Sequence, residues 1–150
     1  MISAKKPLKV LVVGAGPGGC AAALYAKQTG HEVTVIEMAK KMLPQPMFKM
    51  NEGLLRKLMA ESGVTFRAGT KLLSVESGRE NSVVTVEKAK KQETIECDTI
   101  LMALGFAPTS AAAEAFNEIC PVTVVGDEKE ARKILYDVGE AYEAFKKISQ

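Results

Sequence analysis

A glycine-rich turn, Gly14-Ala15-Gly16-Pro17-Gly18-Gly19, constrains the fold of this chain more than any other feature. The run over residues 10–13 before it is apolar and mostly β-branched, which is typical of a strand buried on both faces of a parallel sheet. Pro17 suits the first turn of a helix, and Gly30 suits a left-handed helix end. With a second strand expected over 32–37, these segments predict one right-handed β-α-β unit.

The same turn matches the pattern G-x-G-x-x-G, with Gly14, Gly16 and Gly19 in the glycine positions. In dinucleotide-binding folds the first glycine permits a tight turn and the second lets the backbone approach a pyrophosphate. The third lets helix and strand pack closely. The pyrophosphate then meets free N–H groups at the positive end of the helix dipole. The predicted site therefore covers the whole turn, residues 14–19.

Glu37 ends the second expected strand, 18 residues after Gly19. A carboxylate at this place accepts both hydroxyls of the adenosine ribose and repels a 2′-phosphate, although Lys40 and Lys41 lie nearby in sequence. The site therefore predicts NAD or FAD over NADP. Aromatic residues make up only 5% of the chain and Trp is absent, so little is left to stack on a flavin ring. This favours NAD(H).

The rest of the chain alternates strands and helices, which predicts an α/β fold with a mostly parallel sheet. Three short alternating segments predict a small antiparallel β-meander, and the closing helix carries an apolar stripe from Ala131 to Ile148. The further elements are a helix over 51–63, a strand over 64–67, the meander segments 71–76, 83–87 and 93–97, an apolar strand over 99–104, a helix over 110–118 and a last buried strand over 122–125. We expect a Rossmann-like three-layer domain over 7–150 behind a basic tail over 1–6.

Composition argues against several classes of function. Twenty basic and eighteen acidic residues give a net charge of +2, too balanced for a nucleic-acid or membrane surface. Cys20, Cys97 and Cys120 form no C-x-x-C pair, so we expect reduced thiols, no metal site and no redox disulfide. The N-terminus lacks an apolar signal core, and the uncharged stretch over 10–26 falls short of the roughly 20 residues of a membrane helix. These features favour a cytoplasmic protein.

Gly126-Asp127 is a second candidate for the ligand site. The pair follows the strand expected over 122–125, so it should lie at the carboxyl edge of the sheet, where ligands of open α/β folds bind. Asp127 is equally suited to cap the closing helix. The pattern leaves both interpretations open.

Taken together, these segments resemble the C-terminal part of NADH:flavin oxidoreductases of the old-yellow-enzyme type, the dienoyl-CoA and enoate reductases. These belong to the broader group of FAD-dependent pyridine-nucleotide oxidoreductases. The resemblance rests on residues 10–19, 32–37, 98–105 with Pro108, 123–127 and 131–135. It implies an electron path from NAD(P)H through flavin to a substrate domain. The glycine turn is similar to the family's FAD fingerprint, whereas the helix over 51–63, the meander and Gly105 resemble its NADH-binding unit. Gly126-Asp127 resemble the segment that touches the flavin ribitol, so the chain combines features of both units.

Such enzymes use two glycine fingerprints, whereas this chain has one. Our leading hypothesis is therefore a fragment or module that binds NAD(H) or FAD and passes electrons between nicotinamide and flavin, with the flavin and substrate domain absent from the chain. Alone, it is expected to turn over little or nothing. No catalytic residue is identified, because hydride transfer belongs to the cofactor and His31 is expected on the surface.

Two alternatives stay open at this point. The first is a complete small flavoprotein. The second is a ligand-free interaction domain that keeps the fold and forms a homodimer through a methionine-rich surface. That surface would comprise Met38, Met42, Met47, Phe48 and Met50.

Overall fold

A computed structural model describes residues 6–45, 47–78, 81–109, 111–132 and 134–148. The chain divides into two compact units, Met1–Leu104 and Gly105–Gln150. The expectation of one domain over 7–150 stays a prediction. Of the tail expected over 1–6, only Lys6, which is exposed, lies within the described residues.

Within its described residues, the first unit combines two helices with two sheets. Its elements are β1 (Lys9–Val13), α1 (Pro17–Gln28), β2 (Glu32–Glu37), α2 (Lys49–Glu61), β3 (Thr65–Ala68), β4 (Thr70–Ser77), β5 (Ser82–Lys88), β6 (Lys91–Cys97) and β7 (Thr99–Met102). One sheet is parallel, with the order β3-β2-β1-β7, and the other is antiparallel, with the order β4-β5-β6. The predicted mostly parallel sheet and antiparallel meander are both confirmed.

The parallel sheet forms the middle of three layers. Val10 and Val12 of β1 belong to a core shared with helices α1 and α2. Leu11 and Val13, which alternate with them, belong to a second core shared with β5 of the antiparallel sheet. Both faces of β1 are therefore covered, which explains why residues 10–13 carry no polar side chain. The expected three-layer α/β architecture is confirmed.

Helix α1 ends as its sequence predicts. Gly30 has a φ of +92°, the left-handed conformation that glycine adopts without strain. Its N–H donates to the carbonyl of Lys27, and the N–H of His31 donates to that of Ala26. These two bonds form the Schellman arrangement that closes many helices. His31 was expected on the surface but is half-buried beside the start of β1. Its Nδ1 accepts the N–H of Leu8 at 3.2 Å.

Several element boundaries differ from the expected ones, and those of α2 and β7 have a bearing on the site. Helix α2 begins at Lys49, two residues before the expected cap Asn51, and follows an extended Phe48. Strand β7 ends at Met102 instead of residue 104, although the N–H of Ala103 still donates to the carbonyl of Val13 at 2.8 Å. Apolar residues continue past the point where the ladder stops, so hydropathy overestimates the strand.

The second unit contains α3 (Ala111–Asn117), a 3₁₀ turn (Gly126–Glu128) and α4 (Ile134–Ile148). Ser110, at the start of the helix expected over 110–118, lies outside the described residues. Ala131 precedes α4 rather than joining its apolar stripe. No helix among the described residues is long and apolar enough to cross a membrane.

The prediction of a last buried strand over residues 122–125 is wrong. Within the described part of the second unit these residues form no strand, and none of them is fully buried. Val125 is extended, with φ −137° and ψ 160°. β-Branched residues favour an extended backbone, but a strand also needs a neighbouring chain to complete its hydrogen bonds.

Candidate functional site

Two glycines of the turn are required by the protein's own packing. Gly14 has a φ of +103°, and a Cβ atom there would overlap the carbonyl oxygen of Ala103 at the end of β7. A Cβ on Gly19 would overlap the carbonyl oxygen of Gly14 and lie 3.2 Å from the Cβ of Ala103. The missing side chain at Gly14 therefore lets the turn lie against the residues that follow β7, and the missing side chain at Gly19 lets helix α1 lie against the end of β1.

Gly16 and Gly18 face open space instead. Apart from the adjacent residues and the backbone of α1 itself, no atom of the described chain lies within 4 Å of a Cβ built on either residue. Pro17 occupies the start of α1 and is exposed, and no side chain of the described residues caps the helix there. The N-terminus of α1 thus presents its backbone N–H groups and the positive end of its dipole to a ligand that can come within contact of the backbone.

Glu37 lies beside this turn at the end of β2 and is buried, with 8% of its surface exposed. Its Oε2 accepts the N–H of Ala15 at 2.8 Å, and its Oε1 accepts the N–H of Ala39 at 2.8 Å. A carboxylate offers about four acceptor positions, so each oxygen can still accept a ligand hydroxyl. The structure thus joins the acidic residue to the glycine turn through one hydrogen bond.

The loop after β2 supports the turn from the other side, a contact that the sequence did not reveal. The N–H of Leu43 donates to the carbonyl of Ala15 at 2.9 Å, and the Sγ of Cys20 donates to the same oxygen at 3.5 Å. Leu43 is buried and has a φ of +51°, unusual for a residue other than glycine. Neither the backbone conformation nor the long-range partner of a leucine can be inferred from its neighbours in sequence.

The remaining candidates, Gly105, Gly126 and Asp127, belong to the second unit. Gly105 is exposed, with a φ of +83°. Gly126 has a φ of +67°, and its N–H donates to Oε2 of Glu140 in α4 at 3.0 Å. This bond, with help from nearby lysine and arginine side chains, lowers the pKa of the Glu140 carboxyl.

Asp127 supports a turn rather than capping the closing helix. Its Oδ1 accepts the N–H of Arg132 at 3.3 Å. Helix α4 begins only at Ile134, seven residues after Asp127, so the capping interpretation is wrong. A ligand contact through Gly105, Gly126 or Asp127 stays a prediction.

The three cysteines are free thiols in different environments. Cys20 and Cys97 are buried, and burial raises the pKa of both thiols, whereas Cys120 is exposed. Because the thiolate is the reactive form, we expect DTNB at pH 8 to label one thiol rapidly in the native protein and three in denaturant. Cys120→Ser should remove the rapid phase. Rapid labelling of the Cys120→Ser protein would contradict the buried placement of the other two.

Several known proteins resemble this chain over much of its length. The profile of the pyridine nucleotide-disulphide oxidoreductase family matches residues 1–128. Dihydrolipoamide dehydrogenase of Chaetomium thermophilum is 35% identical over 104 residues, which cover 68% of this chain and 21% of that protein. Cinnamate reductase of Clostridium sporogenes is 27% identical over 143 residues, which cover 93% of this chain and 21% of that protein.

Two solved structures resemble nearly the whole chain. A 2-naphthoyl-CoA reductase in complex with 2-naphthoyl-CoA matches with a TM-score of 0.67 and 26% identity, covering 93% of this chain and 21% of that one. Histamine dehydrogenase from Rhizobium sp. 4-9 matches with a TM-score of 0.70 over 95% of this chain and 24% of that one. At 16% identity, the second match shows a shared fold alone.

The chain spans about a fifth of the length of the curated relatives it matches. In this chain, the family profile covers the glycine turn, Glu37 and both sheets. On this match, the chain belongs to the pyridine nucleotide-disulphide oxidoreductase family.

Proposed function

We propose that this chain binds NAD(H) through the glycine turn and Glu37, as the nucleotide-binding module of an NADH-dependent flavin oxidoreductase. One observation carries the proposal: the open backbone at Gly16 and Gly18 lies next to a buried carboxylate that is bonded to the N–H of Ala15. A pyrophosphate needs the first feature and an adenosine ribose needs the second. The hydrogen bond holds the two features at a constant spacing.

The residues present fit the dinucleotide chemically. The N–H groups at the start of α1 would bind the pyrophosphate, because they lack a capping side chain and lie at the positive end of the helix dipole. Glu37 would accept the ribose hydroxyls. When bound, the nicotinamide would supply a hydride; the groups of this chain bind and orient the nucleotide.

Glu37 also supports NADH over NADPH. Its carboxylate is buried, and the two N–H groups that it accepts belong to the backbone and carry no full charge. A 2′-phosphate would place a second negative group against it and would offer no hydroxyl proton in return.

Glu37→Gln tests this selectivity. Removing the charge should weaken NADH binding about tenfold, since hydrogen bonds to charged groups contribute about 1.5–3 kcal/mol. NADPH should bind no more weakly than before, so the preference for NADH shrinks. Both affinities can be measured by isothermal titration calorimetry. Glu32→Gln, at the exposed opposite end of β2, is the matched control and should change neither affinity. Equal losses for both nucleotides in Glu37→Gln would show that Glu37 does not select between them.

The similarity to cinnamate reductase and 2-naphthoyl-CoA reductase, each over 93% of the chain, supports a role in an enoate-reductase type of enzyme. In that role, the flavin and the substrate domain lie on a partner or a further domain. The isolated chain should then bind NADH without oxidising it.

Titration with NADH, NADPH and FAD tests the proposed function directly. We expect saturable binding of NADH, weaker binding of NADPH and a purified protein without flavin absorbance. Binding of FAD in preference to NADH would assign the turn to flavin instead. Saturable binding of none of the three would overturn the proposal.

A further inference from the structure

The side chain of Arg56 in α2 reaches the loop that supports the glycine turn. Its Nη2 donates to the backbone carbonyl of Met42 at 2.8 Å. Glu52, one helical turn earlier, holds the guanidinium in place: Oε1 accepts from Nε at 2.9 Å and lies 2.8 Å from Nη2. A planar guanidinium held at several nitrogens has little freedom to rotate. Arg56 therefore presents its donor to Met42 in one orientation.

The peptide group between Met42 and Leu43 connects Arg56 to the turn. Its carbonyl accepts from Arg56, and its N–H, on Leu43, donates to the carbonyl of Ala15 at 2.9 Å. The two groups belong to one rigid plane and point in opposite directions. An interaction that orients one end of this plane necessarily orients the other.

Leu43 needs this support, because its φ of +51° is one that residues with a Cβ rarely adopt. Leu43 is 3% exposed and shares a core with Ala15, Cys20 and Met59. Strained backbone of this kind persists where packing and hydrogen bonds hold it from several sides, and it is frequent at ligand sites. In this loop the holding groups are the core around Leu43, the carbonyl of Ala15 and the guanidinium of Arg56.

The carbonyl of Ala15 shares its peptide plane with the N–H of Gly16. In that plane the two groups also point in opposite directions, so the bond from Leu43 fixes the direction of the Gly16 N–H. We propose that Arg56 is a positioning residue that aims the Gly16 N–H at a dinucleotide pyrophosphate, acting through the Met42–Leu43 peptide. This role rests on the proposed NAD(H) binding and extends it to a residue outside the glycine motif.

Helix α2 offers a matched control for this role. Lys57 and Glu61 form a second pair at the same spacing, 4.0 Å apart, with side chains 70% and 63% exposed. Lys57→Met therefore removes a cation and an ion pair from the same helix without touching the loop. Arg56→Met removes the donor to Met42, and Arg56→Lys keeps the charge on a single, more mobile donor nitrogen.

The experiment combines amide NMR spectra of the free protein with affinities for NADH and for adenosine, which has no pyrophosphate. Arg56→Met should shift the amide resonances of Ala15 and Gly16. It should also weaken the binding of NADH about tenfold, which is within the range seen for residues that act through a network. Adenosine affinity should change by less than about twofold, and Arg56→Lys should recover part of the NADH affinity. Lys57→Met should leave all these values unchanged.

A purely structural role for Arg56 has a different signature. It would lower the unfolding temperature while leaving the Gly16 amide and the ratio of NADH to adenosine affinity unchanged, and that result would overturn the inference. If Arg56→Met fails to fold, the same measurements on Arg56→Lys and Glu52→Gln decide, with smaller changes in the same direction expected. A wild-type chain that binds no dinucleotide would overturn the proposed function and this inference together. Wild-type binding with unaltered affinity in the Arg56 variants would overturn the inference alone.

Discussion

Replacing Gly16 with valine is expected to abolish NADH binding while the fold stays intact. Apart from the adjacent residues, no atom of the described chain lies within 4 Å of a Cβ on Gly16, and the backbone angles of Gly16, φ −70° and ψ 178°, are open to any residue. The valine side chain would fill the space through which a pyrophosphate must approach the backbone. We expect the dissociation constant for NADH to rise about a hundredfold or more, which corresponds to roughly 3 kcal/mol. Calorimetric titration measures the loss, and circular dichroism with thermal unfolding checks the fold.

Gly53→Ala is the control for that experiment. Gly53 is exposed within α2, and a Cβ there also meets no atom outside the adjacent residues and the backbone of its own helix. Alanine should leave NADH affinity unchanged and stabilise the protein by about 0.5–1 kcal/mol, because it loses less conformational freedom in a helix than glycine. A folded Gly16→Val protein that still binds NADH normally would place the pyrophosphate site elsewhere.

Replacing Gly19 with alanine is expected to destabilise the fold, whereas Gly16→Val should block binding and leave the fold intact. The new methyl group would overlap the carbonyl oxygen of Gly14, which is backbone and cannot rotate away. Gly14 is itself held by the bond from its N–H to the carbonyl of Ile36 at 2.9 Å. Helix α1 would have to move away from β1, so we expect a loss of about 3 kcal/mol or more in the free energy of unfolding. Urea denaturation followed by circular dichroism measures this loss.

Gly18→Ala is the control for Gly19→Ala. It tests whether stability is lost because α1 lies close to Gly14, or because any side chain has been added to the turn. Gly18 precedes Gly19 in the same helical turn, and its Cβ would enter open space. The free energy of unfolding of the Gly18→Ala protein should equal or slightly exceed that of the wild type. Equal stability of the Gly18→Ala and Gly19→Ala proteins would contradict the packing of α1 against β1.

The sequence was most informative where the relevant interactions are local. Pro17 and Gly30 mark the beginning and end of α1 because their backbone preferences act within the residue itself. The meander was equally predictable. Its segments alternate in hydropathy, which marks them as strands. The conformation of the two-residue turn at Ala89 and Lys90 that joins β5 to β6 was not predictable, because both residues have the positive φ that such turns usually assign to Gly, Asn or Asp.

Predictions failed where a distant partner decides the structure. Residues 122–125 have the composition of a buried strand, but within the described residues no neighbouring strand pairs with them. Leu43 gives no local sign of its positive φ, because that conformation is held by Ala15, 28 residues earlier, and by the buried core. Arg56 resembles any other arginine of an amphipathic helix until its contact with Met42 is seen.

For this protein, the spacing of Gly14, Gly16, Gly19 and Glu37 was sufficient to predict the β-α-β unit and a candidate dinucleotide site, because glycine geometry and strand–helix–strand order are encoded in neighbouring residues. The folded chain was needed to show that the Glu37 carboxylate bonds to the turn and that Leu43 and Arg56 support it. These contacts join residues far apart in sequence. They form only after hydrophobic packing has brought the segments together, so no local pattern records them.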